Sequence, residues 1–231
     1  MEAYDLYYAL RRVLPRRFFY ALGGSRLFAP LRDRFLRPGG TPALTTREIQ
    51  YDGKRFSFTA SYSVLARAQQ RGIENTICRL LRQRARPGAL AIDVGANFGF
   101  VSCTMSIAGM QVVALEMDGR ILPTLRRNLA AFDAVVIEAR VGNGSNGSLR
   151  LDDLVSGSPS LVKIDTDGDE VAVLEGAVAT LRRSHPTIIV ESNGRQAELV
   201  LVLRSVGYQR FTGLHGESYV DAQNILAEAI Q

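Results

Sequence analysis

Ala89-Leu90-Ala91-Ile92-Asp93-Val94-Gly95-Ala96-Asn97-Phe98-Gly99 carries the architecture of the chain. An apolar run of strand length ends in an acid, passes through two glycines, and turns directly into a helical pattern. From Ala89 onward, short apolar runs alternate with helical segments of about ten to fifteen residues, the mark of repeated βαβ units and therefore of a parallel sheet. Strands are expected at 89–94, 111–116, 134–139, 161–165 and 187–191, with helices at 98–108, 120–131, 168–183 and 195–206. The 168–183 helix carries Val171, Leu174, Ala177, Val178 and Leu181 on one face and stops near His185-Pro186. The alternation then breaks, because 208–214 and 223–228 read as strands with no helix between them. The expectation is an α/β, doubly wound, seven-stranded sheet with an antiparallel last strand, its last two strands forming a hairpin-like pair that makes an antiparallel edge.

Upstream, Glu48–Tyr51 and Arg55–Phe58 flank Asp52-Gly53-Lys54, and an Asp-Gly pair between alternating segments signals a hairpin. A helix from Ile73 to Arg84 leads into the sheet. The chain thus divides into a basic aromatic helical extension (1–40), a hairpin and helix (41–88) and a ligand-binding domain (89–231).

The 231 residues are 46% apolar and 22% charged, which excludes wholesale disorder and fibrous repeats. No apolar run reaches the ~20 residues of a spanning helix, and the N-terminus lacks the charge-then-apolar order of a secretory signal, so a cytoplasmic location is expected. Cys78 and Cys103 have no metal-type spacing and read as reduced, buried thiols; His185 and His215 are too few for a histidine-rich metal site. The net charge of +5 is unevenly spread: residues 1–91 hold 17 Lys+Arg against 6 acids, the remainder 11 against 17. Residues 1–37 interleave arginines with Tyr and Phe. A pair of helices docking on the main domain is the preferred reading, peripheral membrane contact through 1–37 is the alternative, and nucleic acid is not expected because no RNA-binding signature accompanies the charge.

In open α/β sheets ligands bind beyond the carboxyl ends of the strands, and here those ends are acidic: Asp93, Glu116, Glu138, Asp165 and Glu191. Carboxylates repel phosphates but suit a cationic ligand that carries a ribose, as S-adenosylmethionine does. Asn97 stands where a dinucleotide fingerprint needs its second glycine, which disfavours an NAD-dependent oxidoreductase. Glu116 follows Gly95 by 21 residues, close to the ~20 expected of an acid that grips ribose hydroxyls. A binding protein with a degenerate cofactor site is the other alternative.

The chain resembles the FkbM-type methyltransferases, which use S-adenosylmethionine and are generally associated with O-methylation of small molecules and glycans. The resemblance covers about residues 90 to 228. It rests on Ile92–Gly99, on Leu151-Asp152-Asp153-Leu154, on Val162–Glu170 followed by Val173-Leu174-Glu175-Gly176-Ala177, and on Pro186 leading to Glu191. Where the family often has Val-Glu after its Ile-Asp, this chain has Thr166-Asp167, an acid of shorter reach. The resemblance implies a Rossmann-like sheet of the class I methyltransferase type. It also implies that Asp93, Gly95, Asn97 and Gly99 hold the methionine end of the cofactor, that Glu116 holds the ribose, and that Arg140, Val141 and Gly142 lie beside adenine.

Methyl transfer is an in-line displacement in which a free alcohol needs a base close to the methyl group. Asp165 and Glu191, at the ends of neighbouring central strands, are the candidates; Asp165 is alternatively a partner for the cofactor's ammonium. His215 is a second candidate base. The Asp167-x-x-Glu170 spacing matches a capping box, so a structural role is expected for both. Asp165, Asp167, Glu191 and Asn193 offer oxygen ligands of the kind Mg²⁺ takes, but the metal-free reading is preferred and no residue is assigned to a metal. Lys163 is expected to pair with a neighbouring acid and is assigned no chemistry. The expected acceptor is a small molecule or a glycan.

Overall fold

The computed structural model describes residues 44–61, 64–65, 68 and 73–229. Two compact units divide the chain, residues 1–44 with 61–63 and residues 45–60 with 64–231, and the large sheet belongs to the second. The expected 1–40 extension and the membrane contact through 1–37 lie outside the described residues.

The strands and helices, in chain order, are β1 (Leu44–Tyr51), β2 (Lys54–Ser61), α1 (Ile73–Arg84), β3 (Leu90–Val94), α2 (Phe100–Ile107), β4 (Gln111–Glu116), α3 (Leu122–Leu129) and β5 (Ala134–Glu138). They continue with α4 (Leu151–Leu154), β6 (Leu161–Ile164), α5 (Glu170–Glu175), α6 (Val178–Ser184), β7 (Thr187–Glu191), α7 (Gln196–Ser205), β8 (Tyr208–Gly213) and β9 (Asn224–Ala229). The seven-stranded sheet has the order β5-β4-β3-β6-β7-β9-β8. Strands β3 to β7 run parallel, and β9 is antiparallel to both neighbours. Strand order reverses at β3, between β4 and β6, so the crevice where such sheets bind ligands opens above Asp93 and Asp165.

The last strand is antiparallel and the β8–β9 pair forms the edge of the sheet, as expected; within the pair β9 lies against β7 and β8 is outermost. The physical reason lies in side-chain character, since Asn224 to Ala227 are all buried whereas Gln209 and Arg210 face solvent. One correction concerns the single helix expected over 168–183, which is two, α5 and α6, broken at Gly176-Ala177. A Cβ on Gly176 would stand 1.9 Å from the Gly142 carbonyl oxygen, so the loop after β5 crosses against bare backbone there. Asp152 uses the break: its N–H donates to the Gly176 carbonyl, and its carboxylate accepts from Ala179 N (3.0 Å) and Thr180 N (2.8 Å), capping α6. The motifs Leu151–Leu154 and Glu175-Gly176-Ala177 are therefore two halves of one contact.

One face of the sheet packs Ile92, Val94, Leu174, Leu181 and Leu203 into a fully buried layer. On the other, the β1–β2 hairpin lies over α2 and α3 through edge-on contacts of Phe58 with Phe100 (5.6 Å) and Phe56 with Phe132 (5.5 Å). Buried Asn128 fastens it. Its Oδ1 accepts from Thr59 N, while its amide donates to the carbonyls of Thr59 and Phe98, so hairpin, α3 and the turn before α2 share one side chain. Cys78 and Cys103 are buried free thiols, and burial pushes Cys103 above the ordinary thiol range. No helix among the described residues is long and apolar enough to cross a membrane.

Candidate active site

The turn after β3 is tied down before any ligand is considered. Gly95 N and Ala96 N both donate to the Leu115 carbonyl, and Asn97 N donates to Glu116 Oε2 at 2.8 Å. The other oxygen of Glu116 accepts from Met117 N and Asp118 N, so one carboxylate at the end of β4 organises two loops. Glycine is required at both ends of the turn for reasons internal to the protein. Gly95 (φ +74°) passes so close to β6 that a Cβ would sit 1.8 Å from the Asp165 carbonyl oxygen, and a Cβ on Gly99 (φ +87°) would meet Leu125 at 2.6 Å.

Beneath this turn lies a buried charge network. Asp93 is fully buried; Ser102 donates a 2.6 Å hydrogen bond to its Oδ2, and Lys163 Nζ stands 3.3 Å from its Oδ1. The parallel register sets Asp93 beside Lys163, which explains the pairing. The buried Lys163 ammonium also donates to the Gly95 carbonyl (3.2 Å) and lies 3.4 Å from Asp165 Oδ2. Lys163 therefore joins the glycine turn to the end of β6, and Asp93 acts on the turn from below.

Asp165 and Glu191 are brought together, as their places on adjacent parallel strands require. Carboxylate oxygens of Asp165, Asp167 and Glu191 all lie within 4.8 Å of one another. Burial, followed by the charge of Asp165 and a hydrogen bond with it, pushes the Glu191 carboxyl up to about 8. Gln223 Nε2 (3.1 Å) and Asn193 Nδ2 (3.3 Å) donate to its two oxygens. Burial and the neighbouring Asp165 charge thus favour the protonated form of Glu191. A positive charge already faces Asp165 from within the chain, in the Lys163 ammonium.

The capping-box expectation is half corrected. Asp167 is no cap: it sits in the left-handed region (φ +56°) on the exposed turn, and Asp169 occupies the N-cap position without a side-chain cap bond. Glu170 does reach back. Buried at 1% exposure, its Oε1 accepts from Thr166 N, Gly168 N, the Thr166 hydroxyl and Asn193 Nδ2. It thereby shapes the turn that carries Asp165 and Asp167.

A cleft of about 590 Å³ opens beside Glu116, walled by Met117, Asp118, Arg120, Glu138, Arg140 and Leu149 among others. Arg140 reaches its rim, held by hydrogen bonds to Asp169. Val141 is buried in the main core and pairs with Leu149, and Gly142 is buried against Ser148, so these two support the wall from behind. His215 is exposed in the turn after β8, with its backbone N–H on Glu217. His185 ends α6 in the left-handed conformation, on the side away from the strands' carboxyl ends.

Ser102 and Gln223 are the site residues that sequence reasoning missed, and nothing local marked them. Lys163 was expected to pair with an acid and does, the Glu170 spacing pointed to a backbone-binding acid, and Asn193 stood only among the oxygen ligands.

Residues 147–210 match the family model described as the methyltransferase FkbM domain. The matched segment runs from the loop before α4 to the start of β8, and so includes Asp152, Lys163, Asp165, Glu170 and Glu191. None of the curated proteins matches the chain in sequence. Among solved structures, methyltransferase FkbM from Methylobacillus flagellatus KT is 17% identical with a TM-score of 0.50 over 65% of this chain and 50% of its own length. The T. thermophilus 16S rRNA N2 G1207 methyltransferase is 15% identical with a TM-score of 0.55, covering 82% of this chain and 52% of its own. A TehB-like SAM-dependent methyltransferase from Corynebacterium glutamicum is 15% identical with a TM-score of 0.52, covering 74% and 94%. These likenesses concern the fold: a seven-stranded α/β sheet of the class I methyltransferase type. The chain spans about half the length of the Methylobacillus FkbM protein.

Proposed function

We propose that this chain is an FkbM-type methyltransferase that transfers a methyl group from S-adenosylmethionine to a hydroxyl of a small molecule or glycan. The observation that carries the reading is the set of groups at the carboxyl ends of the parallel strands: a glycine turn bonded to Glu116, a cleft walled by Met117, Asp118, Glu138 and Arg140 beyond β4 and β5, and the neighbouring carboxyls of Asp165 and Glu191. A cation that carries a ribose fits these residues, because Asp118 and Glu138 line the cleft, Glu116 lies at the end of the same strand, and the other strand ends add negative charge.

In this reading Gly95, Asn97 and Gly99 pack against the methionine end, Glu116 takes the ribose hydroxyls, and Arg140 closes the adenine end with Val141 and Gly142 behind it. Asp93 contributes through Lys163. When bound, the cofactor supplies a methyl group already activated by its sulfonium. The protein's part is to align the acceptor oxygen and remove its proton, a task that falls to the carboxyl pair. His215, exposed in the turn after β8, is the second candidate for this step.

Calorimetric titration of the full chain with S-adenosylmethionine, with NAD(H) in parallel, tests the cofactor. Glu116→Gln keeps the shape and removes the charge, and is expected to weaken S-adenosylmethionine binding tenfold or more, the worth of one charge-assisted hydrogen bond at about 1.5–3 kcal/mol. Preference for NAD, or indifference to the substitution, refutes the assignment. Methyl transfer that survives a chelator supports the metal-free reading.

A further inference from the structure

The proposed reaction needs one ionised carboxylate at the acceptor, and Asp165 and Glu191 present two neighbouring carboxyls. Their surroundings differ. Asp165 has a cation beside it, the Lys163 ammonium at 3.4 Å, buried at 5% exposure and also engaged by Asp93 and the Gly95 carbonyl. Glu191 is met by neutral donors, the amides of Gln223 and Asn193.

The remaining charges around the pair leave this asymmetry in place. Asp167 adds negative charge from the exposed turn, and Glu170 sits behind Asn193 with its Oε1 spent on backbone donors. Asp93 lies on the far side of Lys163, and β9 offers Asn224 opposite Glu191, a neutral residue. Lys163 is thus a basic group that the fold brings to Asp165.

We propose that Lys163 is a positioning residue that selects the base. By holding its ammonium against Asp165 it keeps that carboxylate ionised and leaves the pair's proton on Glu191. Asp165 then takes the acceptor's proton as the acceptor oxygen forms its bond to the methyl carbon and the sulfur–methyl bond breaks. The electron pair of that bond returns to sulfur, and the proton leaves Asp165 for solvent afterwards. Glu191 stays protonated and donates a hydrogen bond to Asp165, which orients the attacking face of the base. Because Lys163 also binds the Gly95 carbonyl, the cofactor turn and the base are set by one side chain. The ammonium is shared between Asp93 at 3.3 Å and Asp165 at 3.4 Å, and its attraction favours the ionised form of both carboxylates.

The inference rests on the reading of this site as a methyltransferase centre, but its test does not. Infrared spectroscopy of the full chain, with ¹³C-glutamate or ¹³C-aspartate incorporated, reports which carboxyl is protonated whether or not any methyl is transferred. At pH 7 the wild type should show a protonated-carboxyl band that moves with glutamate labelling and is lost in Glu191→Gln. Lys163→Arg should keep that band on glutamate, and Lys163→Met in an Asp93→Asn background, which removes the other carboxylate that Lys163 neutralises, should transfer it to aspartate. If that double variant does not fold, the decision falls to the wild type and to Asp165→Asn, which removes the like charge and should abolish the band at pH 7. A band on aspartate in the wild type, no such band at pH 7, or a band on glutamate that survives in the double variant overturns the proposal. Failure to bind S-adenosylmethionine with the glutamate band intact would instead count against the methyltransferase reading alone.

Discussion

Removing the Glu170 carboxylate should loosen the turn that carries Asp165 and Asp167 while leaving the cofactor turn intact. The wild-type Oε1 accepts from two backbone N–H groups, Thr166 and Gly168, each at 3.0 Å, as well as from the Thr166 hydroxyl and Asn193. Glu170→Ala strands the two backbone donors at about 1–3 kcal/mol each. Part of that is offset, because the substitution also removes a buried carboxylate whose Oε2 has no hydrogen-bond partner among the described residues. The net loss should be about 2–4 kcal/mol, which for a chain of this size lowers Tm by roughly 5–15 °C. Glu170→Gln keeps an acceptor oxygen in place and discards the unmatched charge, so it should stay within about 1 kcal/mol of wild type. The assay is thermal unfolding by circular dichroism, paired with S-adenosylmethionine titration, in which Kd should change less than about threefold because Glu116 and Asn97 lie on other elements. An Ala variant that melts with the wild type would overturn this account of the turn, and so would a Gln variant that falls as far as Ala.

The Glu191 carboxyl titrates near 8 when folded and near its ordinary value when unfolded, so the folded state binds more protons between those limits, and stability should fall as pH rises from about 4.5 to 8. Urea unfolding across that range should show the decline in the wild type and not in Glu191→Gln; solvent reaching the half-buried pair holds the difference at pH 9 to about 1–2 kcal/mol. Asn128→Ala strands the N–H and carbonyl of Thr59 and should cost about 2–4 kcal/mol, with hydrogen exchange fastest in the β1–β2 hairpin. Asp152→Ala removes the cap of α6 at about 1 kcal/mol, measurable as a lower urea midpoint, while Asp152→Asn should recover most of it.

The α/β class, the five parallel strands and the acids at their ends were legible in the residues alone. Those features live in local periodicity: a buried parallel strand is a short apolar run, and a turn into a helix shows its glycines. Equally legible were Asp165 and Glu191 at equivalent ends of successive strands, which made them neighbours once the sheet formed. The place of β9 belongs to three-dimensional packing, because an antiparallel strand can pair at either edge and what settles it is burial of Asn224 to Ala227. The break between α5 and α6 was likewise hidden. A glycine in an apolar helical pattern is tolerated locally, and the reason for this one is the Gly142 carbonyl, 34 residues earlier in the chain. Asp93 and Lys163 show the same division. Each was visible as a charged residue inside an apolar strand, but the cross-strand register that pairs them, and the 3.4 Å step from Lys163 to Asp165, arise only when β3 and β6 lie side by side. Charge placement is a pairwise property of positions distant in sequence, and one strand read alone carries half of it.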